Sequence, residues 1–137
     1  VKRTLSRVDR FSSRQEAFGH YRPKRVFRQI SDAVLWDYVQ HGTKEIAPGV
    51  FTLAYSRDWE ARCYTLVYNL WRLLPHLRVP TLAIRAQDSN TLAVSSWNKW
   101  RAMSSDVDFV EIEEAGHLVP FEKPDQLASI ILDWIES

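Results

Sequence analysis

Asp88 and His117 are residues of the types that move a proton together, and they stand 29 positions apart. An aspartate beside a histidine accepts a ring N–H, fixes the tautomer and stabilises the imidazolium. The other ring nitrogen is then free to act as a general base towards a nucleophile. Gly116 precedes the histidine and lets the backbone turn sharply and pass close to a site. Other candidates are weaker. Cys63, the only cysteine, falls inside a predicted helix among Tyr64, Leu66 and Val67, so it reads as a small core residue. His20, His41 and His76 have no metal-ligand spacing, and Glu111, Glu113 and Glu114 alternate between the two faces of a strand end.

A gap of 29 residues is about one helix plus one strand, and the intervening sequence reads that way. Pro80 to Ile84 is a short apolar run opened by proline, the pattern of a buried parallel strand. The loop 86–90 follows, then a helix over 91–103 that offers Leu92, Val94, Trp97 and Trp100 for packing. A second strand spans 107–112, the loop EEAGHLVPFEKP follows, and a last helix over 125–136 gathers Leu127, Ile130, Ile131 and Trp134. Two parallel strands joined by a helix bring the loops after them to one sheet edge, where open α/β sheets place their sites. Asp88 and His117 lie in those two loops.

The segment before Pro75 reads mainly helical. Ser12 and Ser13 precede a helix over 14–21, with Glu16 placed for a capping box. Ser31 caps a second helix whose Val34, Leu35, Tyr38 and Val39 share a face, and Gly42 is a plausible stop. Ala47-Pro48-Gly49 is a turn, residues 50–53 a short strand, and 58–74 a long aromatic helix. The punctuation thus divides the chain into residues 1–74 and 75–137.

The string VPTLAIRAQDSNTL, followed by DFVEIEEAGHLVPFEKPDQLASIILDWI, resembles the end of α/β-hydrolases. There, a proline-opened strand leads to an acid loop, a second strand leads to Gly-His, and an acidic-Pro sequence opens the last helix. Gly116-His117, Glu122 and Pro124 fit, and the match covers roughly residues 78–136. RVDRFSSRQEAF and the helical stretch after it are similar to the helical cap of such enzymes, which implies that residues 1–74 cover an active site. The resemblance implies His117 as catalytic base and Asp88 as its acid. In one common form of the family the acid follows a serine, which points to Asn90 instead; asparagine cannot carry the balancing charge, so Asp88 is favoured. Ala86 and Gln87 depart from the family's glycine and acidic residue. The 137 residues contain no G-x-S-x-G elbow and no glycine-rich oxyanion segment.

The expected fold is therefore α/β: a helical cap segment (1–74), then a partial parallel sheet with flanking helices (75–137), an incomplete α/β-hydrolase. The implied activity is esterase-like hydrolysis of an acyl bond with the serine outside this chain, without metal or organic cofactor. The alternative is a non-catalytic interaction module derived from such an enzyme. Two strands make a marginal sheet with a bare side, so self-association or a partner chain is expected, with a small-molecule substrate if an N-terminal half completes the site.

Composition narrows the rest. Apolar residues make up 45% and aromatic residues 12%, which excludes global disorder. No apolar run reaches the roughly 18 residues of a membrane span, the first residues lack the apolar core of a secretory signal, and one cysteine allows no intrachain disulfide. A cytoplasmic protein is expected. The net charge of +1 conceals +7 over residues 1–30, with nine Lys or Arg against Asp9 and Glu16, and −6 over the remainder. No nucleic-acid-reading motif accompanies that basic stretch, so nucleic acid is not an expected partner.

Overall fold

The computed structural model describes every residue except 67 and 68, and the chain divides into two compact units, Val1–Tyr68 and Asn69–Ser137. The first contains helices α1 (Lys2–Leu5), α2 (Arg14–Tyr21), α3 (Asp32–Gly42) and α4 (Arg57–Cys63) and strands β1 (Arg10–Phe11), β2 (Thr43–Ala47) and β3 (Val50–Leu53). The strands form an antiparallel sheet in the order β1-β3-β2. The turn between β2 and β3 needs Gly49, whose φ of +70° is costly for other residues. The caps follow the sequence. Ser13 accepts from the Glu16 N–H, and the Glu16 carboxylate reaches back to Ser12, one residue earlier than a standard capping box. Ser31 accepts from the Val34 N–H, as expected. Leu35 and Val39 of α3 are fully buried, and Ala17, Tyr21, Phe27 and Ile30 of the same unit are buried as well.

This unit differs from expectation at several points, beginning with the two-residue strand β1. The β2 strand begins immediately after Gly42, with the buried Thr43 hydroxyl donating to the Val39 carbonyl, so the helix stop is also a strand start. The expected helix over 58–74 ends at Cys63. There the Thr65 hydroxyl takes up the Arg62 carbonyl, and the Thr65 and Leu66 N–H groups bond three residues back, which tightens and terminates the helix. Val67 and Tyr68 of that expected helix lie outside the described residues. Cys63 sits at the helix end and is exposed, not buried in a core, because the helix that was to enclose it does not continue.

The second unit opens with 3-10 turns at Leu70–Arg72 and Leu74–His76. Strand β4 (Thr81–Ala86) then leads through α5 (Val94–Met103) to β5 (Val107–Ile112), followed by the short α6 (Val119–Glu122) and α7 (Pro124–Ile135). The two strands are parallel, in register from Thr81↔Val107 to Ala86↔Ile112. Alternation along the pleat sends Ala83, Val107 and Phe109 to one face, against Trp97 and Trp100 of α5. The other face sends Ile84, Ala86 and Ile112 against Val119, Leu127 and Ile130 of α6 and α7. Trp97, Trp100 and Phe109 meet edge to face, with centroids 5.0–6.2 Å apart. Helix α7 is strongly amphipathic yet buries no residue completely; Leu132 and Ile135 remain 56% and 67% exposed.

Candidate active site

The parallel register decides where the site stands. Because Ala86 pairs with Ile112, both strands end at the same level and their following loops emerge side by side. Backbone bonds then join the loops: Gln87 N–H to the Ile112 carbonyl at 2.8 Å and Asp88 N–H to the Ala115 carbonyl at 2.9 Å. The Gln87 side-chain oxygen accepts from the Glu114 N–H at 3.1 Å. That last bond supports a strained residue, since Glu114 holds φ at +50°, a region that costs a side-chain-bearing residue energy.

Behind Glu114, Gly116 and His117 follow. The Gly116 N–H donates to the Glu122 carboxylate. A Cβ at position 116 would lie 2.8 Å from Glu122 Oε1, so the glycine makes room for a carboxylate that would otherwise have to swing aside, and it is not demanded by its own dihedral angles. Glu122 closes α6, and its grip on Gly116 fixes the backbone that presents His117.

His117 itself is exposed, and its Nδ1 meets the Ser89 hydroxyl at 3.3 Å. Ser89 is placed by its own loop, with the Thr91 and Leu92 N–H groups 3.4 and 3.5 Å from its oxygen. Asp88 and Asn90 are exposed on either side of Ser89. Among the described residues no hydrogen bond or ion pair joins Asp88 to His117. The two residues singled out by sequence thus share one sheet edge, and the atom in contact with the ring belongs to the serine between Asp88 and Asn90. Among the described residues no three His, Cys, Asp or Glu side chains could hold a metal ion.

Sequence reasoning passed over Arg85 and its pairing with Glu111. They are register partners on neighbouring strands and form an ion pair in which the arginine side chain is 2% exposed and the glutamate 39%. Arg85 Nε also donates to the Leu92 carbonyl at 3.0 Å and an Nη to the Gln87 carbonyl at 2.9 Å. A guanidinium buried this deeply is stable only when its donors are paired, and here each nitrogen has an acceptor. The signal was present as a lone basic residue in the apolar run TLAIRA and an acid at the matching place in VDFVEI.

The fold has solved counterparts. A peroxisomal α/β-hydrolase from Saccharomyces cerevisiae superimposes with a TM-score of 0.78 over 96% of this chain and 37% of its own, at 19% identity. E-2-(acetamidomethylene)succinate hydrolase gives 0.73 over 90% of this chain and 44% of its own, at 18% identity. The chain has part of the α/β-hydrolase fold. A Mycobacterium tuberculosis esterase gives 0.70 over 93% of this chain and 43% of its own, at 17% identity. The chain therefore spans less than half the length of these three hydrolases. No protein-family model and no curated protein matches the sequence. Within the partial fold, no helix among the described residues is long and apolar enough to cross a membrane.

Proposed function

We propose that this chain is the acid-and-histidine portion of a hydrolase acting on an ester or similar acyl bond. The observation that carries the reading is the joining of the loops after β4 and β5, which brings Ser89 to His117 Nδ1 and leaves the rest of that exposed ring available. In this reading a serine hydroxyl from a complementing N-terminal half attacks the acyl carbon. His117 takes the hydroxyl proton on Nε2 and passes it to the departing alkoxide, and a water then repeats the cycle on the acyl-serine. Asp88, on the same edge, supplies the charge that balances the imidazolium. Residues 1–74 are, in this reading, the cap-like segment of such an enzyme. A cytoplasmic setting fits a single exposed free thiol.

The same geometry supports a partner chain. Two strands are too few for an independently stable sheet, and the exposed apolar positions on α7 ask for cover. A separate N-terminal half is the favoured partner and a second copy of this chain the alternative. A non-catalytic interaction module is the second reading, favoured by one observation: a hydroxyl, not a carboxylate, touches the Nδ1 of His117.

The test combines native mass measurement with hydrolysis of a short-chain p-nitrophenyl ester. An assembly containing a second chain, with hydrolysis lost in His117→Ala, supports the enzyme reading. An assembly of this chain alone that turns over no ester supports the interaction module.

A further inference from the structure

Arg85 lies one strand residue before the acid loop and reaches both ends of it. Its Nη holds the Gln87 carbonyl, where the loop leaves β4, and its Nε holds the Leu92 carbonyl, where the loop approaches α5. Its remaining contact is the Glu111 carboxylate on β5, the strand that runs into the histidine loop. One planar group thus pins the two ends of a six-residue span and ties it to the neighbouring strand. Asp88, Ser89 and Asn90 lie within that span, and Ser89 is the residue that touches His117. Nothing about packing requires an arginine here, since the same face of the sheet is otherwise filled by Ala83, Phe109 and Trp97. An apolar side chain would fill the space without desolvating a charge.

We infer that Arg85, with Glu111, is a positioning residue that holds the 87–92 loop in the one conformation that sets Ser89 against His117. The inference rests on the proton-transfer role proposed for His117, but its physical content is separate: the imidazole's surroundings are controlled from a buried guanidinium on the strand. A lysine cannot do the same. Its ammonium is a point charge on a flexible stem that can still pair with Glu111, but it lacks the planar fork that reaches two carbonyls and a carboxylate together. Arg85→Lys therefore separates charge pairing from loop positioning.

The experiment uses two-bond proton–nitrogen correlation spectra of the histidine rings in the 137-residue chain. The indole N–H signals of Trp97 and Trp100 report that the second unit remains folded. In Arg85→Lys the indole signals stay dispersed, while the His117 ring nitrogens move towards the positions of the exposed His41. Ser89→Ala alone moves them the same way, and adding it to Arg85→Lys moves them no further, because both changes remove one contact. Unchanged His117 signals in a folded Arg85→Lys chain overturn the inference, as do additive shifts in the double variant. If Arg85→Lys loses its indole dispersion, Glu111→Gln is judged by the same criteria. None of these readouts requires catalysis. Failure to find hydrolysis with any partner chain would remove the enzyme reading and leave the loop inference standing or falling on His117 alone.

Discussion

Replacing Gly116 by alanine should destabilise the protein, and removing Glu122 first should reverse the sign. In the folded chain a Cβ at position 116 would meet Glu122 Oε1 at 2.8 Å and Oε2 at 3.2 Å. The three nearest atoms to the new carbon all belong to the Glu122 carboxyl group, so the carboxylate must swing away and lose the hydrogen bond that it accepts from the Gly116 N–H. A hydrogen bond to a charged group contributes roughly 1.5–3 kcal/mol. Gly116 is half-buried, so water recovers part of this and the lower half of the range applies. Against it stands the gain from restricting the unfolded chain, roughly 0.4–1 kcal/mol for Gly→Ala at a compatible backbone. The net expectation is a loss of about 1 kcal/mol. For a unit of this size that lowers the melting temperature by roughly 4–8 °C. In a Glu122→Ala background the obstruction is gone, and Gly116→Ala should stabilise by roughly 0.4–1 kcal/mol. The assay is urea unfolding of the four chains of this cycle, followed by tryptophan fluorescence. A Gly116→Ala chain as stable as the parent, or the same loss in both backgrounds, would refute the claim that the glycine serves the carboxylate.

Two further outcomes follow from packing and charge. Trp97→Ala removes a side chain that is 2% exposed and makes edge-to-face contacts with Trp100 and Phe109, so calorimetry should register a loss of roughly 3–5 kcal/mol; a loss under about 1 kcal/mol would mean the α5 face is not a packed core. His20 titrates below its ordinary 6.5, first because burial disfavours the charged ring and then because Lys24 lies beside it, its Nζ 2.6 Å from Nε2. The folded state thus resists protonation more than the unfolded one, so this contribution is whole above about pH 6.5 and is lost as the pH falls from there towards the folded-state value. Lys24→Met should raise the His20 midpoint in an NMR titration, and an unmoved midpoint would exclude the lysine as a cause.

The site's framework was legible because it rests on periodicity and spacing. The apolar run after Pro80, the strand Val107–Ile112 and the 29-residue gap between Asp88 and His117 suffice to bring two loops to one edge, and the strand bounds agree with the structure to within two residues. The capping serines were equally readable, since Ser13 and Ser31 act within three residues of their own positions. Part of what escaped was decided by contacts distant in sequence. Strand β1 is two residues long and exists only through pairing with β3, some forty positions away. The end of α4 depends on a threonine hydroxyl competing for a carbonyl, which helical spacing does not reveal. At the site, the choice among Asp88, Ser89 and Asn90 depends on where a turn aims its side chains, and that turn is held by Arg85, whose acceptors are the two ends of the turn and Glu111 on the neighbouring strand.

The register of β4 and β5 also bears on how the second unit assembles. Every residue pair along that ladder is separated by 26 positions, from Thr81↔Val107 to Ala86↔Ile112, so no rung of it can form as a local hairpin. The chain must first close a loop containing α5, and the entropy of that closure falls due before any sheet contact compensates it. The β2–β3 hairpin faces no such delay, because Ala47 and Val50 pair across a tight turn. The antiparallel pair can therefore form on the microsecond scale of a hairpin, roughly 1–10 μs, whereas the parallel pair belongs to the slower class governed by non-local contacts. During synthesis the order of the two units along the chain matches this hierarchy. The fast, local half emerges first, and the strand that carries the histidine loop is added only after its partner has waited through the whole of α5.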